Sequence, residues 1–163
     1  MVWIASDLHS LDRMFPKEDF VKNLWKYLNY VMGDFTITEI NEIFVAARDH
    51  GGKNSDEDSE LTVLLKDADR LANIMLGIVI RSGQFTPNIP AMELEYLKTP
   101  NPASTYREPT SVIEDLRGCF ELEDWIRTPK AKEIAAPLFA ELRHYTNTLA
   151  SQYEALGLAG VVL

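Results

Sequence analysis

The sequence predicts an all-α protein, and three observations carry that expectation. Apolar residues recur at helical spacing through most of the 163 residues. Two Thr/Ser-x-x-Glu capping boxes, Thr36–Glu39 and Ser111–Glu114, mark helix starts. Five of the eight prolines (Pro87, Pro90, Pro100, Pro102 and Pro109) crowd into residues 83–109, which leaves the rest of the chain free to be helical. The length suits one domain, 1–163, since a chain of this size buries about 70% of its unfolded surface. That domain is expected to consist of core helices over about 1–82, a proline-rich excursion over 83–109, and C-terminal helices over 110–157.

The elements follow in order. A first helix is expected over 3–14, with Ile4, Leu8, Leu11 and Phe15 on its core side. Pro16 opens a second over about 17–32, which buries Phe20, Leu24, Leu28 and Val31 and stops at Gly33. The Thr36 box starts a third, about 37–49, with Ile37, Ile40, Ile43, Phe44 and Ala47 inward. A fourth runs over about 58–82. The prolines then impose an extended excursion, with a short helical piece around 91–97. The Ser111 box starts a helix to about Trp125. Thr128-Pro129 begins the last helical region, to about Leu156, which Pro137 is expected to kink or break before Gly157 ends it. The apolar tail Leu158–Leu163 is read as frayed, with an interface strip as the other reading.

Composition narrows the function. Hydrophobic residues at 46% and charged residues at 25% are an ordinary globular mix. No apolar run approaches the ~20 residues that span a bilayer, and no basic-then-apolar leader opens the chain. A single cysteine, Cys119, rules out an intrachain disulfide framework and fits a reducing cytoplasm; it reads as a small buried residue. The net charge of −9, without clustered Lys and Arg, argues against nucleic acid as a partner. The run Ser55-Asp56-Glu57-Asp58-Ser59-Glu60 reads as a solvated loop and helix N-terminus. A calcium loop is out, because the required Gly and distal Glu are not in register. Trp3, Trp25 and Trp125 fall at amphipathic positions and read as core rather than as a stacking platform. His144, between Arg143 and Tyr145, reads as a surface or interhelical hydrogen-bonder.

The most informative stretch is 61–74. Leu61, Leu64, Leu65, Ala68, Leu71, Ala72, Met75 and Val79 make an apolar stripe. At about 100° per residue, Asp67 and Asp69 flank it on opposite sides, while Lys66 and Arg70 point away. A carboxylate at the rim of a core needs a cation, a metal or hydrogen bonds. An arginine partner or solvent satisfies that need as well as a metal does.

The segment Lys66-Asp67-Ala68-Asp69-Arg70-Leu71 resembles the last motif of the HD-domain superfamily of metal-dependent phosphohydrolases, whose second Asp faces a divalent metal. Phe44-Val45-Ala46-Ala47-Arg48-Asp49-His50-Gly51-Gly52-Lys53-Asn54 resembles the end of the preceding helix in that superfamily. Trp3-Ile4-Ala5-Ser6-Asp7-Leu8-His9-Ser10-Leu11-Asp12-Arg13 is similar to a degraded copy of the superfamily's His-Asp helix, with Ser10 where the Asp should stand. The resemblance covers roughly residues 1–80, with a looser helical echo at 110–150. Members carry a further His ligand on a helix some thirty residues before the His-Asp pair, so the resemblance implies a divergent, N-terminally truncated member.

What it implies for chemistry is a metal site of His9 and Asp69, with Asp12 substituting for Ser10. Asp12 is three residues after His9, so on a helix both side chains share a face and can reach one ion. The ion implied is Mn, Mg, Fe or Ni, with a site that holds none as the alternative. Asp69 and His50 are the catalytic candidates; Lys53 and Arg70 are candidates to neutralise phosphate charge. His50 also stands at a helix C-terminus, where the dipole favours an imidazolium, and a solvated Lys53 is the simpler reading of that residue. Two functions follow. One is a degenerate HD-fold protein with an incomplete metal site, an interaction or regulatory module with a protein partner or a second copy of itself. The other is a metal-dependent phosphohydrolase acting on a nucleotide or small phosphate ester, its site completed by another subunit.

Overall fold

The computed structural model describes residues 1–31, 33–85 and 87–160; the side chains of Asp12, Arg13 and Lys17 lie outside that description. The described residues are all-α, with no strand among them. In chain order the helices are α1 (Val2–Leu8), α2 (Leu11–Met14), α3 (Lys17–Val31), α4 (Ile37–Asp49), α5 (Glu60–Ala72), α6 (Gly77–Phe85), α7 (Val112–Gly118) and α8 (Pro129–Ala155). Short 3₁₀ pieces lie at Leu94–Tyr96 and Cys119–Trp125. None of these helices is long and apolar enough to cross a membrane.

The chain divides into two compact units, Met1–Asp69 and the remainder from Arg70 onward. In the first, α1 packs on α4 and α3 packs on both α2 and α4. Ala5, Ala46 and Ala47 are fully buried, so no long side chain stands between α1 and α4. Leu8, Leu11, Leu24, Leu28, Ile40, Ile43, Leu61 and Leu65 fill the core, and Trp25 stacks on Phe44 at 4.8 Å. α4 starts where the sequence places it, because Thr36 accepts from the Glu39 amide while the Glu39 carboxylate takes the Thr36 N–H at 2.8 Å. Those bonds hold the Glu39 carboxyl below its ordinary range, the backbone bond foremost.

In the second unit, α7 packs against α6, α8 and the 3₁₀ turn after it. The core is Ile74, Ile78, Ile113, Leu116, Leu122, Ile126, Phe139 and Leu142. Ser111 caps α7 and Thr128 caps α8, each accepting from the amide three residues on. The short helical piece expected around 91–97 is the single 3₁₀ turn Leu94–Tyr96. α8 ends in a Schellman motif: the Leu158 amide donates to the Tyr153 carbonyl (3.0 Å), the Gly157 amide to that of Glu154 (2.9 Å), and Gly157 takes a φ of +71°. The tail does not simply fray after it, since the Gly160 amide donates to the Leu94 carbonyl at 2.8 Å; residues 161–163 lie outside the described residues.

Several local expectations are corrected. The first helix breaks at His9–Ser10, so the face shared by His9 and a residue three further on does not extend across that turn. The helix expected over 58–82 stops at Ala72 and resumes at Gly77, the turn between them closed by i→i−3 bonds such as Asn73 to the Arg70 carbonyl. α8 runs through Pro137 unbroken, with the proline exposed. Trp3 is 84% exposed rather than core, and Ile37 is exposed as well.

The stripe on α5 is rotated from its expected place. Leu64, Ala68, Ala72 and Met75 are exposed, while Thr62, Lys66, Asp67 and Arg70 are buried beside Leu61 and Leu65. Lys66 is 2% exposed because its ammonium is fully occupied: it donates to both Asp58 oxygens (2.9 Å each) and to the Lys53 carbonyl (2.8 Å). With its charge paired and its donors used, the cation no longer requires water. The acidic run is correspondingly divided: Asp56 and Glu57 are solvated, but the Asp58 side chain is 7% exposed.

Candidate functional site

The first unit brings three of the sequence-chosen residues together. His9 is the C-cap of α1, His50 is the C-cap of α4, and Asp69 sits on the last full turn of α5. The His9 and His50 rings meet edge to face, 5.0 Å between centroids. His9 Nε2 lies 3.9 Å from Asp69 Oδ1, with the two side chains 21% and 18% exposed.

Each imidazole is fixed by its own helix. His50 Nδ1 donates to the Ala47 carbonyl at 2.8 Å, and His9 Nδ1 donates to that of Ser6. A carbonyl oxygen only accepts, so both Nδ1 atoms carry the hydrogen and both neutral rings present an Nε2 lone pair. A backbone acceptor behind Nδ1 is the arrangement that orients metal-ligating histidines, and it also satisfies two helix-end carbonyls. The Ser10 hydroxyl lies 3.2 Å from His9 Nε2 and can donate to it.

The surroundings are strongly charged. Arg48 forks onto both oxygens of Asp49, immediately before His50, with two bonds of 2.7 Å. That guanidinium holds the Asp49 carboxyl below its ordinary range, and Lys66 adds to the effect from a distance. Asp49 in turn raises the Arg48 value. Asp67 is buried two residues before Asp69.

The remaining candidates fall elsewhere. Lys53 is exposed in the turn after His50, and its carbonyl accepts from the Lys66 ammonium. Arg70 belongs to the second unit, where its guanidinium donates to the Trp125 carbonyl and lies 5.6 Å over the Trp125 ring. The Asp12 side chain lies outside the described residues. Among the described residues, no group of three or more His, Cys, Asp or Glu is placed to hold a metal ion. His144 is exposed on α8.

Sequence reasoning missed Ser10 as a contact of His9, and missed Lys66 with Asp58. The signal for the latter was present: a lysine three residues before Asp69 and an aspartate eight residues before that lysine. Amphipathic patterning assigns both to solvent, and that rule hides them.

No family model, characterised protein or solved structure matches the chain. The resemblance to the HD-domain superfamily thus rests on the residues quoted above.

Proposed function

We propose that the chain is a degenerate HD-fold protein whose incomplete metal site, His9 and Asp69 with Asp12, has become part of an interaction or regulatory module. The observation that supports it best is at His9. Where the superfamily pattern has a metal-binding Asp, Ser10 places a hydroxyl 3.2 Å from the very Nε2 that a metal would need. Asp69, 3.9 Å away, serves the imidazole as a charge partner once the ring is protonated. A site satisfied by its own side chains has little affinity left for an ion. The setting proposed is the cytoplasm, in keeping with one buried, unpaired cysteine, and the partner is another protein or a second copy of the chain.

The convergence of His9, His50 and Asp69 supports a second reading, a divalent-metal-dependent phosphohydrolase acting on a nucleotide or small phosphate ester. In this reading His9 and Asp69, with Asp12, would hold Mn, Mg, Fe or Ni, and His50 would stand beside them as a catalytic group. When bound, such an ion acidifies water and polarises a phosphoryl group. The exposed Lys53 would then neutralise phosphate charge, and the Nδ1 anchors would fix which ring nitrogen each histidine presents.

Elemental analysis decides between them, run on wild type, Asp69→Ala and His9→Ala before and after incubation with Mn²⁺. The degenerate reading expects all three to stay folded and below stoichiometric metal. Near-stoichiometric metal in wild type, lost in both variants, overturns it in favour of the hydrolase. Metal retained in a folded Asp69→Ala protein removes Asp69 from the site under either reading.

A further inference from the structure

We propose that Lys66 is the positioning residue for the His9–His50–Asp69 cluster. The inference rests on reading those three residues as the site, and is independent of whether an ion binds there. Lys66 and Asp69 are three residues apart on α5, which places them on one side of that helix. Asp69 addresses His9 at 3.9 Å. Lys66 addresses the segment that follows His50: its ammonium binds the Lys53 carbonyl, three residues past His50, at 2.8 Å.

The same ammonium holds Asp58 through both oxygens, two residues before α5 begins. The loop that leaves His50 is thereby gripped at its near end through Lys53 and at its far end through Asp58. One buried cation does both. Lys66 is 2% exposed, its three donors take three bonds, and none is left to move with solvent.

His50 stands in a turn closed by the Gly52 amide, which donates to the Asp49 carbonyl at 2.9 Å. Its ring is tied to Ala47 within α4 and meets the edge of His9, but the chain beyond it turns through Gly51 and Gly52. Glycine pairs resist ordering, because their backbone loses the most freedom on folding. The Lys66 grip closes the loop after that pair onto the helix that carries Asp69. It registers the end of α4 against α5, and through the His50–His9 contact it registers the end of α1 as well.

The chain's three histidines make this testable without a ligand. Two are in the cluster, and His144 lies exposed on α8 in the second unit as an internal reference. Imidazole ¹H–¹⁵N correlations would be recorded at one fixed pH on metal-free wild type, Lys66→Met, Asp58→Asn and Asp58→Glu. The Nδ1–H and Nε2 resonances of His9 and His50 are expected to shift in Lys66→Met and Asp58→Asn. His144 should stay in place and the far-UV dichroism should be kept. Asp58→Glu restores a carboxylate to the ammonium and should return the wild-type histidine pattern.

A folded Lys66→Met or Asp58→Asn protein with unmoved His9 and His50 signals overturns the proposal. So does a shift of all three histidines together in both variants, which assigns Lys66 to general stability. Because no metal is present, these outcomes are independent of the elemental analysis. An unaltered spectrum in a metal-binding protein sinks only the positioning role, while a metal-free protein with the expected shifts sinks only the hydrolase reading.

Discussion

Removing Arg117 should release the proline-rich segment and cost the protein much of its stability. The guanidinium is 14% exposed and pairs with Glu114, itself 4% exposed, one turn back on α7. It also donates to the carbonyls of Tyr96 (2.7 Å) and Leu97, with a longer contact to Thr99 (3.5 Å). Those carbonyls lie at the end of the 3₁₀ turn Leu94–Tyr96 and just past it, in the stretch between Pro90 and Pro100. Arg117→Met takes the cation away from a buried carboxylate, for which about 3–5 kcal/mol is typical. Each hydrogen bond from a charged donor contributes about 1.5–3 kcal/mol, but water reaches part of this site and replaces some of it. We expect a net loss of about 3–4 kcal/mol, a large fraction of the roughly 5–15 kcal/mol of a whole domain.

Arg117→Lys keeps the charge but lacks the fork, and should lose about half as much. The assay is urea unfolding followed by far-UV dichroism, beside limited proteolysis of the native protein. With a slope of about 1–3 kcal/mol per molar, Arg117→Met should lower the midpoint by roughly 2 M and open new cuts within 94–106. A midpoint drop under about 0.5 M, with the segment still protected, would refute the reasoning.

Two further outcomes follow from the packing of α7. A Cβ built at Gly118 comes 3.0 Å from the Tyr106 Cα, and backbone cannot swing aside, so Gly118→Ala should destabilise by about 1–3 kcal/mol in the same urea assay despite the better helix propensity of alanine. Unchanged or increased stability would show that the 106 segment yields. The Cys119 thiol is pushed up to about 12 by burial, helped by the Asp115 charge, so a thiol reagent at pH 8 should label it only after denaturant is added. Because the folded value is the higher one, its contribution is whole below the unfolded value of 9.0 and is lost as pH climbs from there through about 12. Fast labelling of native protein, or a Cys119→Ala variant with an unchanged alkaline limb, would contradict this.

What the sequence revealed and what it hid separate along physical lines. The Thr36 and Ser111 caps were legible because a cap is made by residues three apart, and nothing distant competes with it. Pro137 misled for a related reason. The cost of about 3 kcal/mol for a helical proline is real, but Ala135, Phe139 and Leu142 bury the opposite side of α8, and the proline side is exposed, where water can take the freed Glu133 carbonyl. His9, His50 and Asp69 could be chosen together because the motif pairs residue types with order along the chain. Lys66 could not, since patterning places a lysine in water unless its partners are known in advance, and Asp58 and the Lys53 carbonyl are partners only in three dimensions.

The two anchored imidazoles have a practical consequence for mutagenesis. Each ring is held at Nδ1 by the carbonyl three residues back and is offered to its surroundings at Nε2. An asparagine amide reaches about as far as Nδ1, and a glutamine amide about as far as Nε2, so neither is a neutral stand-in for histidine. At His50, asparagine keeps the tether and deletes what is presented, whereas glutamine keeps the presented atom and lets it drift. The pair of substitutions separates being held from being used, a distinction that alanine at the same position erases.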